Sequence, residues 1–350
     1  MHSLSVPVED RDLCICTASK EASSYVTMAV VSSPTLPWQK TNPVDPRVVI
    51  SLAATYLIWG STYLAMAIVV REIPPFLQGG MRFTFAGSVM FAIALRRGAK
   101  VPPLREWLRI APVGALLFVG GNAFVAIGEK SVSSGGAAVV CATMPLWVAV
   151  LGSLGSGQRV GRATDKPTAR EWMSLVLGFS GVLVLMGGPS LAGEPEHVAI
   201  LMCAPIAWAI GSVLQRRLPA TPTTKDAFML PAVQMLCGGV LLGALGLGTG
   251  EQIDEETATG TWLGLGYLAV AGSLIGFTAY SWLLRNTRPV VATSYSYVNP
   301  IIAVLFGAAI SGEPLGITTF VANAMIVIAV LLAVRRPAPL PVPVKQPPPG

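Results

Sequence analysis

The chain alternates between long apolar runs and short polar, charged connections. A helix needs roughly 20 apolar residues to cross a bilayer. Ten runs approach that length, at about 48–70, 75–95, 108–127, 133–154, 171–188, 197–214, 228–247, 262–284, 290–310 and 317–334. Short segments of strict two-residue alternation, the mark of a membrane β-barrel, are absent. The pattern predicts an all-α polytopic membrane protein with ten transmembrane helices. Two segments stand apart. Residues 1–46 are a polar leader without periodicity, expected to be a disordered cytoplasmic tail. Residues 337–350 are Pro-rich and expected to be extended.

Composition excludes the soluble alternative. Charged residues make up 12% of the 350 positions and hydrophobic ones 53%, with a mean hydropathy of +0.63. Soluble domains carry about 25% charged residues, so a soluble surface of this size could not be covered. The net charge of +6 does not argue for nucleic acid, because the basic residues come in short clusters between apolar runs. Their placement sets an orientation instead. With the N-terminus in the cytoplasm, 21 of the 24 Lys and Arg fall inside. Arg71 and Lys130 fall outside, and Arg82 remains within the second run. The connection 248–261 has no Lys or Arg and carries Glu251, Asp254, Glu255 and Glu256. Both termini are therefore expected in the cytoplasm.

Five runs per half means that the second half must start from the opposite side. Any similarity between halves is then an inverted repeat, a plan common in secondary transporters. Such similarity exists. At an offset of 155 residues Trp107–Gly161 aligns without a gap to Trp262–Gly316. Trp107 meets Trp262, Gly121 meets Gly276, Lys130 meets Arg285, Pro145 meets Pro300 and Gly152 meets Gly307. At a second offset, of 152, Arg82 meets Gln234 and Gly87 meets Gly239. The expected organisation is a first repeat over 47–190 and a second over 191–336.

Four stretches carry a family resemblance: Tyr-Leu-Ile-Trp-Gly-Ser-Thr-Tyr (56–63), Pro-Pro-Phe-Leu with Met-Arg-Phe (74–83), Ala-Thr-Met-Pro-Leu-Trp (142–147), and Val-Asn-Pro-Ile with Gly-Glu-Pro-Leu (298–301, 312–315). In this order the chain resembles the EamA branch of the drug/metabolite transporter superfamily. The resemblance implies a ten-helix inner-membrane carrier in two repeats, with export of amino acids, metabolites or drugs as the common activity. Gln158 departs from the glutamate frequent in that family's first repeat, and the basic loop at 159–170 is longer.

Residues that could carry transport are the polar and helix-breaking ones inside the runs. Arg82 is the sharpest, since a charge near the bilayer centre costs at least ~3 kcal/mol and must face the bundle. It could hold an anionic group of a substrate, or clamp the carbonyls of a broken helix. Pro145 and Pro300 each remove a backbone donor and can bend a helix. Around Pro300 the run reads Thr293-Ser294-Tyr295-Ser296-Tyr297-Val298-Asn299. That is unusually polar for lipid contact, and either lines a cavity or joins helices. Tyr56, Trp59 and Tyr63 share a helix face, with Trp208 as a rough counterpart. Asn122, Thr143 and Gln234 complete the substrate-binding candidates, beside Tyr295, Tyr297 and Asn299. Glu129 could be a proton site in a coupled cycle, or form an exposed interfacial pair with Lys130. Glu313 could serve a gate or hold a helix end.

No Walker-type loop is present, and the only histidines are His2 and His197. Five scattered cysteines make neither a disulfide framework nor a metal cluster. Neither cofactor nor metal is expected, no catalytic residue is assigned, and enzymatic activity is not expected. The expected partners are the lipid bilayer and a small-molecule substrate; nucleic acid is not, and a homodimer is left open. Three functions fit this pattern: a secondary exporter, conceivably proton-coupled; an exchanger or importer of anionic, phosphorylated or nucleotide-linked metabolites; and a non-transporting membrane scaffold.

Overall fold

The computed structural model describes residues 45–132, 134–154, 167–185, 194–219, 221–302 and 317–334. Among these there is no strand, and the helices fall into ten successive stretches. They are α1 (Pro46–Val69), α2 (Pro75–Arg96), α3 (Leu104–Gly128), α4 (Ser134–Cys141 with Met144–Leu154), α5 (Ala169–Leu185), α6 (Pro195–Arg217), α7 (Met229–Gly248), α8 (Thr259–Asn286), α9 (Pro289–Ala292 with 295–302) and α10 (Ile317–Val334). Helices α1, α3, α4, α6, α7 and α8 are long and apolar enough to cross a membrane. Large apolar side chains face outward in stripes, as Leu57, Leu64 and Ile68 do on α1. Such stripes suit lipid rather than water. The leader, the Pro-rich tail, Gln158 and Glu313 lie outside the described residues.

The two ends of the bundle differ in charge, and each is tied by its own chemistry. At the acidic end two carboxylates cap helix N-termini, where unpaired N–H groups favour negative charge. Glu251 accepts from the backbone N–H groups of Phe76 and Leu77, at 3.3 and 2.8 Å, at the start of α2. Glu72 accepts from Ala258 N–H at 2.8 Å and Thr261 Oγ1 at 2.9 Å, at the start of α8. At the basic end Arg97 meets Asp226 at 3.2 Å. Arg216 donates to the carbonyls of Leu284 and Thr287, where α8 ends. Arg288 pairs with Glu171 at the start of α5.

Helix pairing follows a pseudo-two-fold plan. Helix α2 packs on α7 and α5 on α10, each with its own counterpart from the other half. The remaining contacts exchange: α1 packs on α8 as α6 packs on α3. Likewise α1 meets α9, where Gly60 abuts Ile302, as α6 meets α4. Glycine sets the α2–α7 distance. A Cβ on Gly80 would lie 2.8 Å from Gly243 Cα, and one on Gly239 would lie 2.5 Å from Thr84 N. Close backbone approach through small residues is how helices associate without a hydrophobic drive.

The repeat extends to irregular backbone. Helix α3 contains a π-helical segment, Ala115–Ala123, and α8 contains another, Leu268–Phe277. The 155-residue offset lays one over the other. Helices α4 and α9, equivalent in the two halves, are both interrupted, at 142–143 and at 293–294. Pro145 sits in the first turn after its break, where its missing N–H costs nothing. Pro300 lies further into its helix.

Candidate functional site

The irregular segments converge on one cavity between the halves, with a volume of about 90 Å³. That holds a few waters and is smaller than a typical ligand pocket. Its walls come from α1, α2, α3, α4, α6, α8 and α9. Each π segment contributes, through Phe118, Gly121 and Asn122 on one side and Gly272 and Phe277 on the other. π segments recur at functional sites because they re-aim side chains and free backbone groups.

A proline at position i removes the donor for the carbonyl of residue i−4. For Pro145 that residue is Cys141, and for Pro300 it is Ser296. Both line the cavity, and the 155-residue offset pairs them. The two residues are equivalent wall positions, but only Pro300 removes a donor from a continuing helix, because the break at 142–143 already ends the ladder before Pro145.

Two tryptophans close the cavity toward the basic end. Trp59 and Trp208 stand edge-to-face, with ring centroids 5.7 Å apart. Each rests on the glycine of the other half's π-containing helix: a Cβ on Gly276 would lie 2.5 Å from Trp59, and one on Gly121 would lie 2.5 Å from Trp208. Tyr295 packs on Trp59 at 4.5 Å, and Tyr280 bridges the group at 5.1–5.8 Å. The indole N–H groups of Trp59 and Trp208 and the hydroxyl of Tyr280 are paired. Trp59 Nε1 donates to the Gly272 carbonyl at 2.9 Å, Trp208 Nε1 donates to Tyr280 Oη at 3.1 Å, and Tyr280 Oη meets Ser212 Oγ at 2.6 Å. Just beyond, Gln215 Nε2 donates to Ser281 Oγ at 2.8 Å, and Gln234 Nε2 donates to Gln215 Oε1 at 3.3 Å.

The opposite half of the cavity leaves polar groups open. Arg82 is 4% exposed. Its Nε donates to Ser273 Oγ at 2.8 Å, and the guanidinium lies 4.7 Å from the Phe83 ring centroid. Gly272 makes the seat: a Cβ there would lie 2.9 Å from Nη2. No carboxylate pairs with Arg82, and Nη1 has no hydrogen-bond partner among the described residues. Asn122 Oδ1 likewise has no partner among the described residues, and the amide of Asn299 has none within 3.5 Å although Tyr63 lies near it. Buried polar groups are nearly always paired, so each exception needs a reason.

Of the eleven substrate-binding candidates, the structure brings Arg82, Trp59, Tyr63, Asn122, Trp208, Tyr295 and Asn299 to this cavity. The other four lie outside it. Tyr56 bonds to Ser294 at 2.7 Å, a turn nearer the basic end. Thr143 sits at the α4 break and bonds back to Val140. Gln234 belongs to the Gln215 network. Tyr297 donates to the Leu175 carbonyl at 3.3 Å, between α9 and α5. Glu129 corrects one expectation. It forms no exposed pair with Lys130: Lys130 is exposed, whereas Glu129 is 8% exposed with both oxygens unpartnered among the described residues. It is not among the residues that line the cavity, though its charge is felt at Tyr63 and Cys141, which are.

Sequence reasoning missed Cys141, Met144, Phe118 and Phe277 as lining residues, whereas Ser296 belongs to the polar run already singled out. The signal was available in the repeat. The 155-residue offset carries Asn122 onto Phe277, Asn299 back onto Met144, and Cys141 onto Ser296. Applying it to the candidates and to the polar run reaches Phe277, Met144 and Cys141, but not Phe118.

Comparison with known proteins agrees with this architecture. The chain matches the EamA-like transporter family twice, over residues 46–187 and 197–335. It is 40% identical over 283 residues to an uncharacterized inner membrane transporter, YedA, of Escherichia coli (strain K12), covering 81% of this chain and 89% of that one. It is 25% identical over 274 residues to an uncharacterized transporter, YoaV, of Bacillus subtilis (strain 168), covering 75% and 87%. A protein of known crystal structure shares the fold with a TM-score of 0.64 at 20% identity, covering 83% of this chain and 98% of that one. An all-helical, membrane-spanning chain in two repeats, matched by the family model in both of them, belongs to the EamA-like transporter family.

Proposed function

We propose that the chain is a secondary carrier that moves a small solute by alternating access through the cavity between its repeats. The observation that carries this reading is the set of open polar atoms on Arg82, Asn122 and Asn299 around one interfacial cavity. Sites at a repeat interface, lined by broken helices, suit rocking of one half against the other. The small volume fits a contracted state that must open to admit solute. With the basic end in the cytoplasm of the inner membrane, as the positive-inside rule favours, export of a metabolite, amino acid or drug is the leading direction.

Arg82 favours a solute that carries an anionic group. Its guanidinium offers an open donor with no carboxylate among the described residues to take it, and charge-assisted bonds to carboxylate or phosphate are the strong ones. Exchange of phosphorylated metabolites is therefore the second reading. Glu129 is the proposed coupling group. Moving an ionised carboxyl out of water without a partner is costly, so proton binding and closure around Glu129 are linked.

The test compares metabolites in the medium of overexpressing and deletion strains, then reconstitutes the purified chain in liposomes with the solutes that differ. Gradient-driven flux of such a solute supports the carrier reading. If no solute differs and no gradient moves any, the reading fails.

A further inference from the structure

A second pocket lies at the basic end, apart from the central cavity and separated from it by the Tyr280–Ser212 and Gln215–Ser281 hydrogen bonds. Its volume is about 710 Å³, within the range of small-ligand sites. We propose that this pocket is a binding site for a phosphate-bearing anion.

Charge carries the argument. Arg109, Arg216, Arg217, Lys225 and Arg285 line the pocket, drawn from α3, α6, the α6–α7 connection and α8. One carboxylate, Glu106, faces them. It is committed to the hydroxyls of Thr221 and Thr223, both of which donate to its Oε2. Two of the cations are held in place by backbone. Arg216 donates to the Leu284 and Thr287 carbonyls, and Arg285 Nη1 donates to the Thr224 carbonyl at 3.3 Å. The other three, Arg109, Arg217 and Lys225, are exposed, and the described residues give them no hydrogen bond or ion pair. A phosphate supplies several strong acceptor oxygens and suits both the arginine fork and the lysine point charge.

The pocket's position adds a second argument. It sits where α6 and α8 end and α7 begins, with Trp282 and Leu230 on its walls. A tryptophan at that level, half-exposed, marks a bilayer–water boundary. Basic pockets between helices at this depth are where anionic headgroups bind. The phosphate therefore comes either from an anionic phospholipid or from a soluble phosphate.

The experiment uses the full chain purified in neutral detergent and follows its melting temperature. Phosphatidylglycerol mixed micelles, phosphatidylcholine mixed micelles and inorganic phosphate at constant ionic strength are titrated separately. A saturable rise with phosphatidylglycerol assigns the site to lipid, and a rise with inorganic phosphate assigns it to soluble phosphate. Phosphatidylcholine is expected to give none. The triple variant Arg109→Gln, Arg217→Gln, Lys225→Gln should weaken the response about a hundredfold while melting normally without ligand. A response no greater than that to phosphatidylcholine, or one that persists in the triple variant, overturns the proposal. Neither result depends on what the central cavity carries.

Discussion

The two repeats share their backbone and differ in their side chains. Both have a π segment, a proline four residues after a cavity-lining position, and a glycine that seats the other half's tryptophan. At equivalent positions the chemistry then diverges. Arg82 in the first repeat stands where the second has Gln234. Asn122 stands opposite Phe277, and Asn299 opposite Met144. The result is a cavity satisfied toward the basic end and open toward the acidic end. Under the alternating-access reading the difference has a physical meaning. The frame is symmetric because the halves must exchange roles when the carrier reverses. The lining is asymmetric because a solute has a polar end and an apolar end.

Six variants, in four tests, would break or sharpen this comparison. Converting Arg82 to the residue of its counterpart, Arg82→Gln, removes the charge-assisted contacts and should slow transport about a hundredfold, with normal insertion checked by size exclusion. The opposite change, Gln234→Arg, should not restore transport to that variant. The glycine seats come next. Gly121→Ala and Gly276→Ala each press a methyl into a tryptophan and should destabilise by about 1–3 kcal/mol, read as melting temperature. Similar losses support the shared frame; a loss at one position alone contradicts it. Glu129→Gln should keep substrate binding but flatten the dependence of transport on pH, since the amide cannot exchange a proton. An unchanged pH profile removes Glu129 from coupling. The smallest effect belongs to Tyr297→Phe, which deletes one bond to the Leu175 carbonyl away from the cavity. It should cost about 1 kcal/mol of stability and leave transport unchanged.

Much of the frame was legible in the chain. Runs of about 20 apolar residues mark the helices, because lipid leaves a backbone no other partner than itself. The inward position of Arg82 followed from the cost of a charge in lipid. The membership of the cavity was less legible. A 3.6-residue period puts Tyr56, Trp59 and Tyr63 on one face, yet Tyr56 and Tyr63 lie about 10 Å apart along the axis and meet different neighbours. The π segments shift the faces that the period assigns, so Phe118 and Phe277 could not be placed by spacing. The burial of Glu129 was hidden by its neighbour Lys130, which suggested a surface pair. Only tertiary packing decides that the carboxyl is buried.

The central claim is that the cavity opens in turn to each side of the membrane, and Cys141 on its wall reports this directly. With the other four cysteines changed to serine, a membrane-impermeant thiol reagent is applied outside proteoliposomes or trapped within them. Alternating access requires that Cys141 react from both sides and that the modified chain cease to carry solute. Reaction from one side only, or a fully modified chain transporting at the unmodified rate, would contradict it.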